Sequence, residues 1–193
     1  MLDQLPPAGW LAGFAVVGTL VFLRARYGPI TSVRWQPIRR LVVPVLNWAA
    51  KRYLGSDWYA TSQRDRDEHV ASVDLAPDEL LDDLEAAGYE PQPLASLSVD
   101  WAGRMEVASW CRYYGPKPFP AAPYWLRERQ VHVRLFETDE GTALAAHAET
   151  NPWRADRWQD HYRSESIDVQ EGRRLVAADL GIEPRSLSER HDP

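Results

Sequence analysis

The sequence predicts an α+β protein in which an N-terminal transmembrane helix precedes a soluble domain with an antiparallel sheet and two to three helices. Three observations predict it. Residues 5–23 carry no charge over 19 positions. Two alternating runs flank the turn Thr138-Asp139-Glu140-Gly141. Two helical stretches, PDELLDDLEAAG and DVQEGRRLVAADLG, are each bounded by start and stop signals.

The uncharged run has just the length required, since about 20 apolar residues cross about 30 Å of hydrocarbon. Pro6 and Pro7 suit a first helical turn, where a missing N–H costs nothing. Trp10 and Tyr27 stand near the two ends, where amphipathic rings favour the headgroup level. A cleaved signal would open with a basic segment and close on small residues. Here the first charge is Asp3 and the run ends in Arg24-Ala25-Arg26. The reading is a permanent anchor over residues 1–28. Residues 1–55 hold seven basic groups against the single acid Asp3, a net +6, and all seven follow the anchor. Positive flanks stay in the cytoplasm. A single-pass protein of the cell membrane is therefore expected, with its N-terminus outside and its domain in the cytoplasm.

Residues 29–55 read as a basic amphipathic segment beside the membrane. Ile38, Leu41, Val42, Val45 and Ala49 recur at helical spacing, with Arg40, Pro44, Asn47 and Lys51 opposite. Such a helix lies on a bilayer with its apolar side at the acyl boundary. Arg39, Arg40, Trp48, Lys51 and Arg52 are the candidate membrane-surface residues. A helix packed on the soluble domain is the alternative, and Pro44 interrupts the backbone donors within it. Residues 56–68, polar and mixed in charge, read as a linker, residues 69–185 as the domain, and residues 186–193 as a disordered tail.

Within the domain, VASVDL is an expected first strand. A helix follows, with Pro77 in its first turn, Leu80, Leu81 and Leu84 as its apolar stripe, and Gly88 as its stop. MEVASWCRYYG reads as a strand that runs into the proline-rich loop GPKPFPAAPYW. The hairpin is the clearest element. Its turn sets a register in which Leu135 faces Leu144, Val133 faces Ala146 and Val131 faces Ala148, all on one core face. Asn151 and Pro152 open a further helix, and Asp168 caps the last one, which ends at Gly181 and Pro184.

Charge and cysteine usage exclude some functions. Residues 56–193 carry a net −12, from 15 basic and 27 acidic groups, which argues against nucleic acid because phosphate binding needs clustered cations. The single cysteine, Cys111, excludes an internal disulfide framework and is expected as a small buried hydrophobe.

The hairpin register places His132 opposite His147 on the face away from the core, with Gln130, Arg134 and Glu149 beside them. With His161 arriving from the next segment, this set makes His132, His147, Glu149 and His161 the candidate catalytic residues. His132, His147 and Glu149 could also hold a divalent metal. No ligand-spacing motif fixes that geometry, so no cofactor is assigned. The ordinary fate of such a face is solvent or a covering helix. The aromatic and arginine cluster of Trp153, Arg154, Arg157, Trp158, His161 and Tyr162 offers either a partner surface or an aromatic core with stacked arginines. Arg134, Trp153, Arg157, Trp158 and Asp168 are the candidate binding residues.

The stretches ELLDDLEAAGYEPQP, PFPAAPYW, RQVHVRLFETDEG and HYRSESIDVQEGRRLVAADL, in that order, resemble the C-terminal domain of LssY-type membrane proteins. They match that family's helix ending in Ala-Gly-aromatic, its proline loop, its His-x-Arg strand, and its His plus Asp segment before the last helix. Its usual Glu-Arg opening the last helix stands here as Glu171-Gly172-Arg173. The resemblance implies a membrane-associated α+β domain, places weight on His132, Arg134, His161 and Asp168, and supplies no reaction. The expected function is a membrane-tethered binding or assembly module, whose partners are the lipid bilayer and a membrane or cytoplasmic protein. The alternatives are a membrane-associated hydrolase built on the hairpin's His/Glu cluster and an accessory subunit of a membrane transport complex.

Overall fold

The structure is a computed structural model that describes residues 62–92, 95–153 and 166–183, together with helical positions 40, 41, 43–45, 48, 51 and 52. The chain divides into two units, Met1–Thr31 and Ser32–Pro193, and every described residue belongs to the second. The expected anchor therefore lies outside the described residues. Among those described, no helix is long and apolar enough to cross a membrane.

In chain order the elements are β1 (Ser62–Gln63), a 3-10 turn (Arg66–Glu68), β2 (His69–Val73), α1 (Pro77–Ala86), β3 (Glu90–Pro91), β4 (Ser98–Val99), β5 (Ala108–Tyr114), a second 3-10 turn (Tyr124–Leu126), β6 (Arg129–Thr138), β7 (Gly141–Thr150) and α2 (Val169–Leu180). β2, β7, β6, β5 and β3 form, in that spatial order, a five-stranded sheet with every neighbouring pair antiparallel. β1 and β4 pair in parallel as a separate small ribbon. The fold is α+β, as expected.

The β6–β7 hairpin carries the expected register, with Val131 paired to Ala148, Val133 to Ala146 and Leu135 to Leu144. Gly141 closes the turn at φ 127, and a Cβ there would meet the Val73 carbonyl of the neighbouring strand. Thus glycine serves both the turn and the contact with β2. Val131, Val133, Leu135, Leu144 and Ala146 pack with Trp110, with Leu80, Leu81 and Leu84 of α1, and with Val176 and Ala177 of α2. Each helix begins as its sequence signals: the Glu79 carboxylate accepts from the Ala76 N–H at 3.0 Å, and Asp168 Oδ1 accepts from the Glu171 N–H at 2.9 Å.

Gly172 brings α2 close to the sheet. A Cβ at this position would collide with the backbone of His147 and Ala148 on β7. Asp168 and Ala148 exchange backbone hydrogen bonds of 2.7 and 2.9 Å immediately before the helix starts. The start of α2 is thereby pinned to β7 behind His147.

The other sheet face is not left to solvent. Among the described residues, it is covered in part by two segments joined through the β1–β4 ribbon, where the Arg64 N–H donates to the Val99 carbonyl at 2.7 Å. Residues 62–68, in the stretch read as linker, form one segment and residues 95–106 the other. Trp101 leans over Phe136 with ring centroids 6.5 Å apart, and over His69 at 4.6 Å.

Candidate functional site

Period-two alternation sends Gln130, His132 and Arg134 of β6, Glu149 and His147 of β7, and Ser109 of β5 to this covered face. All six are buried. His132, His147 and Glu149 are only 4 %, 3 % and 5 % exposed. The covering segments add Glu68 and Glu106, also buried, and the half-buried Arg64.

The side chains form a connected network. Ser109 Oγ lies 2.6 Å from His132 Nε2, and His132 Nδ1 lies 3.5 Å from Glu149 Oε1. His147 Nδ1 contacts Glu68 Oε2 at 3.1 Å, while its Nε2 stands 3.6 Å from Glu149 Oε1. Gln130 Nε2 donates to Glu149 Oε1 at 2.7 Å, and Gln92 Nε2 donates to Gln130 Oε1 at 3.3 Å. Arg134 Nη1 donates to Glu106 Oε2 at 2.5 Å and to the Ser96 carbonyl at 2.9 Å. Arg64 Nη1 reaches Glu68 Oε1 at 3.4 Å. The two imidazoles stand edge to face, 5.5 Å apart.

Burial and charge act in opposition here. Burial alone would raise the Glu68 carboxyl, but its hydrogen bond to His147 and the charges of His147, Arg64 and Arg134 pull it down to about 2. Burial opposes a charge on His147, yet Glu149 and Glu68 lift it to about 9. His132 goes the other way. Burial, and next the Arg134 charge, press it well below its ordinary value, so it stands neutral beside a charged neighbour.

The structure thus brings together His132, His147, Glu149 and Arg134. His161, Arg157, Trp158 and Arg39 lie outside the described residues. Trp153 is fixed locally: its Nε1–H donates to Tyr113 Oη at 3.0 Å, and its ring meets Trp125 edge to face. Asp168 serves as the helix cap described above. Cys111 is fully buried, as expected. Sequence reasoning missed Ser109, Glu68, Glu106 and Arg64. The alternation in β5 could have revealed Ser109, because Ala108 and Trp110 take the core face. Nothing local marks Glu68 or Glu106 for this face, because His147 and Arg134, which they meet there, lie 79 and 28 residues along the chain.

The helical positions near the N-terminus supply a second feature. Leu41, Val45 and Trp48, spaced i, i+4 and i+7, are 72 %, 58 % and 60 % exposed, whereas Val43 is buried. Arg40, Lys51 and Arg52 are exposed beside them, and Arg40 Nη2 donates to the Glu106 carbonyl at 3.5 Å.

No family model matches the chain, and no curated protein or solved structure does.

Proposed function

We propose that this chain is a membrane-tethered binding module, held by an anchor over residues 5–23 and seated on the cytoplasmic leaflet through the helix around residues 40–52. The observation that carries the reading is the exposed stripe of Leu41, Val45 and Trp48. A helix that turns three large apolar side chains to the outside, with cations beside them, fits the boundary between headgroups and acyl chains. The net charge of +6 over residues 1–55 suits anionic lipid, where each Lys or Arg near the surface contributes on the order of 1 kcal/mol. The uncharged run that precedes the helix supplies the tether.

A binding role fits the domain better than hydrolysis. The order Ser109, His132, Glu149 follows that of a nucleophile, base and orienting acid. However, all three groups are buried, and a substrate carbonyl has to come within hydrogen-bond reach of the first two.

Nitroxide labels at Leu41→Cys, Val45→Cys and Trp48→Cys in the full chain, reconstituted into anionic liposomes, test the membrane seat. Native Cys111 is buried and should not compete for the label. The expected result is high accessibility to oxygen and low accessibility to a polar relaxant at all three sites, with the contrast weakening in zwitterionic lipid. Labels as water-accessible as one placed at Asp139 on the hairpin turn would refute the seat.

A further inference from the structure

His132, His147 and Glu149 converge on one point from adjacent strands, with one candidate ligand atom of each inside a 4.8 Å span. Their spacing distinguishes an inner side from an outer side. On the outer side the hydrogen bonds are of ordinary length or shorter: Ser109 at 2.6 Å from His132 Nε2, Glu68 at 3.1 Å from His147 Nδ1, and Gln130 at 2.7 Å from Glu149 Oε1. On the inner side, Glu149 Oε1 stands 3.5 Å from His132 Nδ1 and 3.6 Å from His147 Nε2. Direct N–H···O bonds cluster at about 2.7–3.2 Å, so the inner approaches are long for hydrogen bonds. Nitrogen and oxygen ligands about 2.0–2.2 Å from one tetrahedral ion stand about 3.3–3.6 Å from each other. The two separations between the carboxylate and the imidazoles have that value, and one ligand atom of each of the three residues lies within 4.8 Å of the others.

We infer that His132 Nδ1, His147 Nε2 and Glu149 Oε1 bind a divalent transition metal, with zinc and iron(II) as the ions that a two-imidazole, one-carboxylate set suits. The surroundings match what a metal-bound histidine requires of its second nitrogen. Glu68 takes the far nitrogen of His147, and Ser109 takes that of His132, which fixes each ring so that the remaining lone pair faces inward. Gln130 Nε2 donates to Glu149 Oε1 and holds that oxygen in place. The backbone behind the centre is held as well, because Gly172 lets α2 sit directly on His147 and Ala148. Since all three ligands are buried on two adjacent strands, the ion acts on the fold, clamping β6 to β7 under the segment that carries Glu68.

The test uses the full chain purified in detergent without a polyhistidine tag. Bound metal is measured by mass spectrometry, thermal midpoint is followed with and without a chelator, and the stripped protein is reloaded with Zn²⁺ or Co²⁺. One divalent ion per chain, a midpoint that falls on stripping and returns with Zn²⁺, and visible d–d absorption with Co²⁺ are expected. Glu149→Gln and His147→Ala should abolish the absorption. Ser109→Ala should retain the wild-type circular dichroism yet weaken Co²⁺ binding by about 10–100-fold, a loss that unfolding does not explain. A wild-type chain that takes up neither ion and keeps the same midpoint would overturn the inference, leaving His147 as an imidazolium between Glu68 and Glu149. Binding that persists in Glu149→Gln or is unaffected by Ser109→Ala would overturn it equally, by placing the ion elsewhere.

Discussion

At the scale of single residues, Arg134 and Glu106 set the cost of the polar layer. The Glu106 side chain is fully buried, and the Arg134 guanidinium lies 2.5 Å from its carboxylate. A buried pair of this kind adds little net stability, but removing one partner strands a charge. Arg134→Met should therefore lower unfolding free energy by about 3–5 kcal/mol, read from chemical denaturation. Arg134→Met combined with Glu106→Gln should recover most of that loss. Equal losses in the single and double variants would show that the arginine acts through packing rather than charge. His132 and His147 were legible from the sequence because a two-residue turn fixes the register, and register fixes which side chains face each other. Arg134 was legible as a neighbour on that face. Its partner was not, because Glu106 enters from an irregular loop whose path no periodicity records.

At the scale of elements, the helices and the hairpin follow from local chemistry. Pro77 with the acids behind it, the Leu80–Leu81–Leu84 stripe, and Asp168 as cap each act within a turn or two of the chain, and each stands where the sequence puts it. The layer over the polar sheet face was not legible. Residues 62–68 look like solvated linker, yet Glu68 is drawn in by His147, an interaction that exists only once the sheet has formed. Gly172 belongs to the same class of long-range requirement. Within a helix, alanine ordinarily improves on glycine by about 1 kcal/mol. Here the added Cβ would strike the β7 backbone, which cannot move aside as a flexible side chain could. Gly172→Ala should accordingly destabilise the domain by about 1–3 kcal/mol or more, because α2 must lift off the strand. A thermal midpoint equal to or above that of wild type would show that the helix has room at this contact.

Across the whole molecule, charge divides the chain. The first 55 residues carry a net +6 and the remaining 138 carry −12, so an anionic surface attracts the segment next to the run 5–23 and repels the domain beyond it. The exposed Leu41–Val45–Trp48 stripe lies on the basic side of that division. A domain suspended in this way would meet the bilayer through one helix and leave the rest of its surface to a protein partner. The measurement that tests this account most directly is membrane fractionation of the full chain with a protease-sensitive epitope at its C-terminus. The chain is expected to stay in carbonate-washed membranes at high and low salt, and protease to remove the epitope only when the cytoplasmic side is exposed. Release of intact protein by carbonate, or removal of the epitope from outside sealed cells, would contradict it.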